Sequence, residues 1–176
     1  MSQEFTVNAS NRVKRGEFIA VAEWSTTSGQ TTTEHRQVLG AYTESSALEF
    51  NADIQKKTDV LDITRTDVNK TQPQQTFDPL YIDKQSDFAN YLAEAALDND
   101  TSKYNGAFNV YLISAWESTS SAIPTRKHRN CTILPTSLGG DGGSYLSMPI
   151  EVHFSNDIVK GTIDKLEDDF TFTPTT

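Results

Sequence analysis

Apolar and polar positions trade places along this chain at two different periods, and the period decides what each stretch can become. Residues 17–24 (EFIAVAEW) place Phe18, Ala20, Ala22 and Trp24 on one face of an extended segment and Ile19 and Val21 on the other. Apolar side chains on both faces predict a strand near the middle of a sheet. Residues 25–33 (STTSGQTTT) read as a loop by composition, and residues 37–42 as the returning strand. In residues 45–55, Leu48, Phe50, Ala52 and Ile54 alternate with Glu49, Asn51, Asp53 and Gln55. That alternation predicts a strand with one dry and one wet face, the wet face meeting either bulk solvent or the water of a channel. Residues 83–98 change to the helical period: Phe88, Tyr91, Leu92, Ala95 and Ala96 share one face, with Asp83 or Ser86 placed to cap the start. Strand patterns then resume over residues 107–117, 127–134, 145–154 and 169–173, with Asn156-Asp157 and Lys160-Gly161 as turns. The order β-β-β, one helix, β-β-β-β predicts a mainly β fold, a β-sandwich or barrel with one flanking α-helix.

Residues 57–79 (KTDVLDITRTDVNKTQPQQTFDP) do not fit that core. Only Val60, Leu61, Ile63, Val68 and Phe77 in this stretch are apolar enough to be buried, while Pro73 and Pro79 limit internal ladder pairing. A long extended loop of this polarity needs something to pack against. The expected organisation is therefore a single domain over residues 1–176, with a polar, basic N-terminal arm at 1–15 and the extended loop at 57–79.

Composition narrows the picture. With 176 residues, 36% of them hydrophobic, and a mean hydropathy of -0.51, the chain suits one thin β-structure with a small core. Twenty-four acidic against fifteen basic residues give a net charge of -9, which disfavours binding nucleic acid through its phosphates. The charges are clustered nonetheless. Basic groups gather at Arg12/Lys14/Arg15, at Lys56/Lys57 and at Arg126/Lys127/Arg129, and acidic ones at Asp164, Glu167, Asp168 and Asp169. These are either solvated faces or complementary patches for self-assembly. One cysteine, Cys131, allows no internal disulfide, and the first ten residues carry no basic-then-apolar signal pattern, so synthesis in a reducing compartment is expected. No apolar run approaches the roughly 18 residues of a membrane helix.

Candidate chemistry is sparse. Residues 139–143 (GGDGG) lack the Lys-[Ser/Thr] of a phosphate loop and precede Tyr145, which the pattern assigns to a strand, so a β-β loop is expected. His35, His128 and His153 have no second ligand at metal-binding spacing; His153 reads as a solvent-facing strand residue and Cys131 as a small core residue. No G-x-S-x-G, H-E-x-x-H or dinucleotide fingerprint occurs. No catalytic residue, metal or cofactor is expected.

The loop's wording is more specific than its composition: a TDVLDI segment, then TDVNKT, then a Pro/Gln run closing on TFDP. Further on, Pro135-Thr136-Ser137 leads into the GGDGG run and an apolar segment ending in His153-Phe154, followed by DIVKGTID at residues 157–164. Together with the helix between these blocks, this resembles the tail tube proteins, or major tail proteins, of long-tailed bacteriophages. The resemblance covers most of the chain and is strongest at residues 57–82 and 135–164; the arm before residue 16 has no counterpart motif. It implies a structural virion protein that forms hexameric rings, whose inner sheets join into a β-barrel and which stack into the tube through which DNA is ejected. Partners would be copies of itself and other tail proteins (tape measure, tail terminator, baseplate or tip), with DNA passing the lumen unbound and no membrane contact. Synthesis would be in the host cytoplasm and residence in the virion tail. Six copies at -9 each carry about -54, which keeps DNA from adhering.

On that footing, Val60, Leu61, Ile63, Thr64, Arg65, Thr71 and Gln72 are candidates for contact with an adjacent ring. Arg126, Lys127 and Arg129 are candidates for contact with Asp168 and Asp169 of a neighbouring subunit. Glu49, Asn51 and Asp53 are the candidate lumen face. The alternative is a non-catalytic carbohydrate- or surface-binding β-sandwich module, which would expose aromatics on one loop edge, whereas Trp24 and Trp116 are expected to be buried in strands.

Overall fold

The computed structural model describes residues 12–40, 43, 45–119, 122–167 and 169–175. It is mainly β with one α-helix, a sandwich of antiparallel strands. Strand β1 (Phe18–Ser28) lies between β2 (Thr31–Leu39) and β7 (Phe108–Ser114), with β3 (Leu48–Glu49), β4 (Ala52–Thr58), β5 (Thr64–Thr71) and β6 (Gln74–Phe77) intervening in sequence. Both faces of β1 are buried from Ala20 to Trp24, as its two apolar rows predict. The Thr-rich stretch after it is not a loop. It continues as strand on both sides of a tight turn at Gly29, whose φ of 63° suits glycine, because Thr favours the extended backbone and its neighbours across the ladder are also Thr.

The first sheet runs β2-β1-β7-β8-β10-β11, where β8 is Ile123–Pro135, β10 is Ile158–Ile163 and β11 is Phe172–Pro174. The second runs β8-β9-β6-β3, with β9 at Ile150–His153. Strand β8 belongs to both: residues 123–128 pair with β10, residues 132–135 with β9. Asn130 sits between the two halves at φ 55°, and the β7 register shifts opposite it, so a local left-handed residue turns the strand from one sheet into the other. The sheets close on a core of Ala20, Ala22, Val110, Leu112, Ile133, Ile150, Val152 and Phe77.

Helix α1 (Asp87–Leu97) covers one end of that core. Ser86 caps it by accepting from the Ala89 N–H at 3.3 Å, and Phe88 and Leu92 pack on Trp24 and Phe108. Val21, Tyr111, Ile113, Ile123 and Ile163, on the opposite face of the first sheet, are covered by Phe170 and Phe172.

Several expectations need correction. Strand β10 (Ile158–Ile163) contains Lys160-Gly161, expected as a turn; a Cβ at Gly161 would meet the Phe172 ring at 2.6 Å, so glycine permits the approach of β11. Trp116 is in a single 3-10 turn (Ala115–Glu117) and is partly exposed, because β7 ends at Ser114. Tyr145 opens no strand: β9 begins only at Ile150, and residues 139–143 lie in the connection before it, with Gly139 bridged to Ser147. The strand expected over residues 45–55 is broken at Asn51, where φ is 41°, into β3 and β4, so Glu49, Asn51 and Asp53 do not share one strand face. Tyr42, Asp168 and residues 1–11 of the arm lie outside the described residues. Arg15 is anchored to the body through the carbonyls of Phe18 (2.6 Å) and Ser46 (3.2 Å).

Candidate assembly interface

Among the described residues, strands β4 and β5 pair only with each other, in a two-stranded sheet separate from the sandwich. The projecting element is therefore a hairpin of residues 52–71, starting earlier and ending earlier than the expected 57–79. Residues 74–77 return to the sandwich as β6 despite the flanking prolines, because a four-residue strand between Pro73 and Pro79 keeps its own N–H groups free to pair with β9 and β3; Phe77 is buried there. Val68, with the rest of the hairpin's apolar residues, is exposed.

The tip is built locally. The Asp59 carboxylate accepts from the N–H groups of Leu61 (2.9 Å) and Ile63 (3.1 Å), the Asp59 N–H donates to the Ile63 carbonyl (3.1 Å), and Asp62 takes a left-handed φ of 58°. Asp tolerates both roles. The Thr58 and Thr64 hydroxyls meet at 3.0 Å, and Arg65 reaches Asp59 at 3.7 Å. This ordered turn holds Val60, Leu61 and Ile63 outward at 100%, 75% and 51% exposure. Thr64 and Arg65 sit beside them, whereas Thr71 and Gln72 are at the opposite end, where Gln72 donates to the Phe50 carbonyl (3.1 Å).

The basic cluster on β8 is divided. Lys127 points into the subunit, its ammonium 2.9 Å from Glu23. Glu23 also receives the Arg36 guanidinium (2.9 Å), the Asn109 amide (2.9 Å) and the Tyr111 hydroxyl (2.8 Å). Burial alone would raise the Glu23 pKa, but the bonds from Lys127, Asn109, Tyr111 and Arg36 outweigh it and hold the group at about 2. Lys127 is thus removed from the expected surface patch by its position on an inward row of β8. Arg129 pairs with Asp157 at 2.8 Å on its own subunit, and Lys165 holds Asp169 and Glu167. Arg126 is exposed, and among the described residues it has no carboxylate partner.

The Glu23 network escaped the sequence reading; its one visible sign was a carboxylate in phase with Ile19 and Val21 on a doubly apolar strand. His35 stacks on Trp24 (5.2 Å), while His128 is buried against the Ser155 carbonyl, its pKa lowered chiefly by burial. His153 is partly exposed beside Glu151 (3.4 Å), and Cys131 is buried, which raises its thiol pKa. Among the described residues no three His, Cys, Asp or Glu groups are placed to hold a metal ion, and no helix is long and apolar enough to cross a membrane.

No family model matches the chain, and no curated protein matches it. Among solved structures, it is similar to a chain of the anti-feeding prophage cap (the tube terminating cap), at 12% identity over 91% of this chain and 96% of that one, with a TM-score of 0.48. A chain of the anti-feeding prophage baseplate gives 10%, 91%, 97% and 0.49. A chain of the PVC sheath-tube complex, from an extracellular contractile injection system, gives 11%, 89%, 99% and 0.48. Likeness at these values assigns neither family nor function.

Proposed function

We propose that the chain is a non-enzymatic structural subunit of a phage-type tail, which assembles with its own copies into stacked hexameric rings forming a tube for DNA ejection. The carrying observation is the projecting hairpin. An isolated two-stranded ribbon is marginal in water, and ordering its backbone costs about 1–2 kcal/mol per residue. Here residues 52–71 are ordered with almost no contact to their own core and end in three exposed aliphatic side chains. A neighbouring copy that packs on the ribbon supplies what the subunit does not. Copies placed side by side would also cover the outer edges of β2 and β3, which are unpaired among the described residues and are templates for pairing. The motif resemblance at residues 57–82 and 135–164 favours the same reading, including residence in the virion tail beside tape-measure, terminator and baseplate or tip proteins. The lumen assignment of Glu49, Asn51 and Asp53 is part of the proposal; all three are exposed.

The test is negative-stain microscopy and sedimentation of the full chain beside a variant whose residues 52–71 are replaced by a short Gly-Ser linker. A larger deletion reaching residue 76 would remove β6 from the sandwich and confuse assembly with folding. Tubes or stacked rings from the parent, and a folded variant that no longer elongates, are expected. Full-length tubes from the variant would overturn the proposal.

Surface binding has one observation in its favour: Tyr145 is 81% exposed and meets Tyr81 edge-on at 6.2 Å on a loop. A parent chain that stays monomeric at high concentration, and is retained on a polysaccharide column through Tyr145, would favour that reading.

A further inference from the structure

We propose that the hairpin tip of one copy seats in an apolar cleft at the hairpin base of the next. This rests on the reading of the chain as a self-assembling subunit. The cleft, about 590 Å³, opens between the two sheets and is lined by Leu48, Phe50, Trp116 and Ile158, with Arg126 and Glu117 among its polar groups. Phe50, Trp116 and Ile158 are 63%, 40% and 45% exposed, so its lining is apolar surface left in water.

The chain thus carries a convex apolar feature and a concave one, and they cannot meet within one molecule. Phe50 and Thr71, at the roots of the hairpin, lie in the cleft wall, while the tip stands beyond the seven residues of β4, about 23 Å away at the rise of a strand. An occupant with the tip's chemistry must therefore come from another copy.

Charge selects the same match. Asp62 at the tip has no cation partner among the described residues, and Arg126 in the cleft has no carboxylate; Lys57 and Glu117 are a second such pair. Seating the tip brings each charge to its opposite. A contact between different surfaces of identical chains is head-to-tail, and where its rotation does not close it propagates, which is what stacking requires.

Two variants test the match. Leu61→Asp spoils the tip, and Ile158→Glu spoils the cleft; both sites are exposed, and thermal melting checks that each variant folds. Neither should elongate alone. Mixed, they should give stacks that stop at two layers, because only one intact tip-to-cleft contact can form. A charge exchange gives a second readout: Arg126→Asp should reduce elongation at low salt at least tenfold, and adding Asp62→Arg in the same chain should restore it. If the cleft variant elongates while the tip variant does not, the tip docks elsewhere and the inference falls, with the tail reading intact. If both elongate, or the parent never assembles, both fall. A mixture that forms no pairs, or a charge exchange without rescue, also overturns the inference.

Discussion

Glu23 is a carboxylate set between Ala22 and Trp24 on the buried stretch of β1, and four donors from β2, β7 and β8 converge on it. Arg36, one of the four, also donates to the Phe170 carbonyl at 2.7 Å and lies over the Phe170 ring at 4.5 Å, so the network ties the sheet to the C-terminal segment. Removing one partner of a buried charge cluster leaves the others uncompensated, so Glu23→Ala should destabilise the subunit by about 3–5 kcal/mol in chemical denaturation at pH 7. Because the folded pKa lies below its ordinary value of 4.5, the stabilisation is complete above that value and is lost as pH falls toward about 2. Glu23→Gln should accordingly flatten the acid limb of a stability-pH curve between those limits. An unchanged limb would mean that other carboxylates dominate it.

At the scale of elements, legibility followed periodicity. Strand β1 and helix α1 were readable because both bury an unbroken apolar row, and Ser86 was one of two caps the pattern offered. Ser86→Ala should cost about 1 kcal/mol, read as a lowered denaturation midpoint with an unchanged slope. Strand β10 was hidden because Lys160 and Gly161 look like a turn; the glycine is explained only by the closeness of Phe172, which no local pattern reveals. The alternation over residues 45–55 misled for a related reason. A period of two reports an extended backbone, but it does not say that the apolar row finds a core, and Phe50 and Ile54 find none. The candidate interface was legible as a polar excursion with an apolar triplet. Its boundaries, its ordered tip and the cleft depended on pairings distant in sequence. The basic cluster on β8 reads as one patch in sequence because its members are adjacent, yet alternation sends Lys127 inward and leaves Arg126 outside.

The whole molecule has two appendages of opposite consequence. The hairpin adds almost nothing to the core, whereas the C-terminal segment closes it: Phe170 is buried on Tyr111 at 5.0 Å, Phe172 lies 5.5 Å from the same ring, and together they cover the outer face of the first sheet. Deleting residues 165–175 would remove both rings, and losing a buried Phe costs about 3–5 kcal/mol. The total approaches the 5–15 kcal/mol that keeps a domain folded. It would also expose Val21, Ile113 and Ile163 and deprive Arg36 of its carbonyl acceptor. The truncated chain should therefore bind a hydrophobic dye and lose its cooperative melt, while the chain lacking residues 52–71 keeps a midpoint within a few degrees of the parent. Measured side by side by calorimetry, these two deletions separate what the fold needs from what assembly needs. A truncated chain that melts as cooperatively as the parent would show that the outer sheet face is stable without its cover.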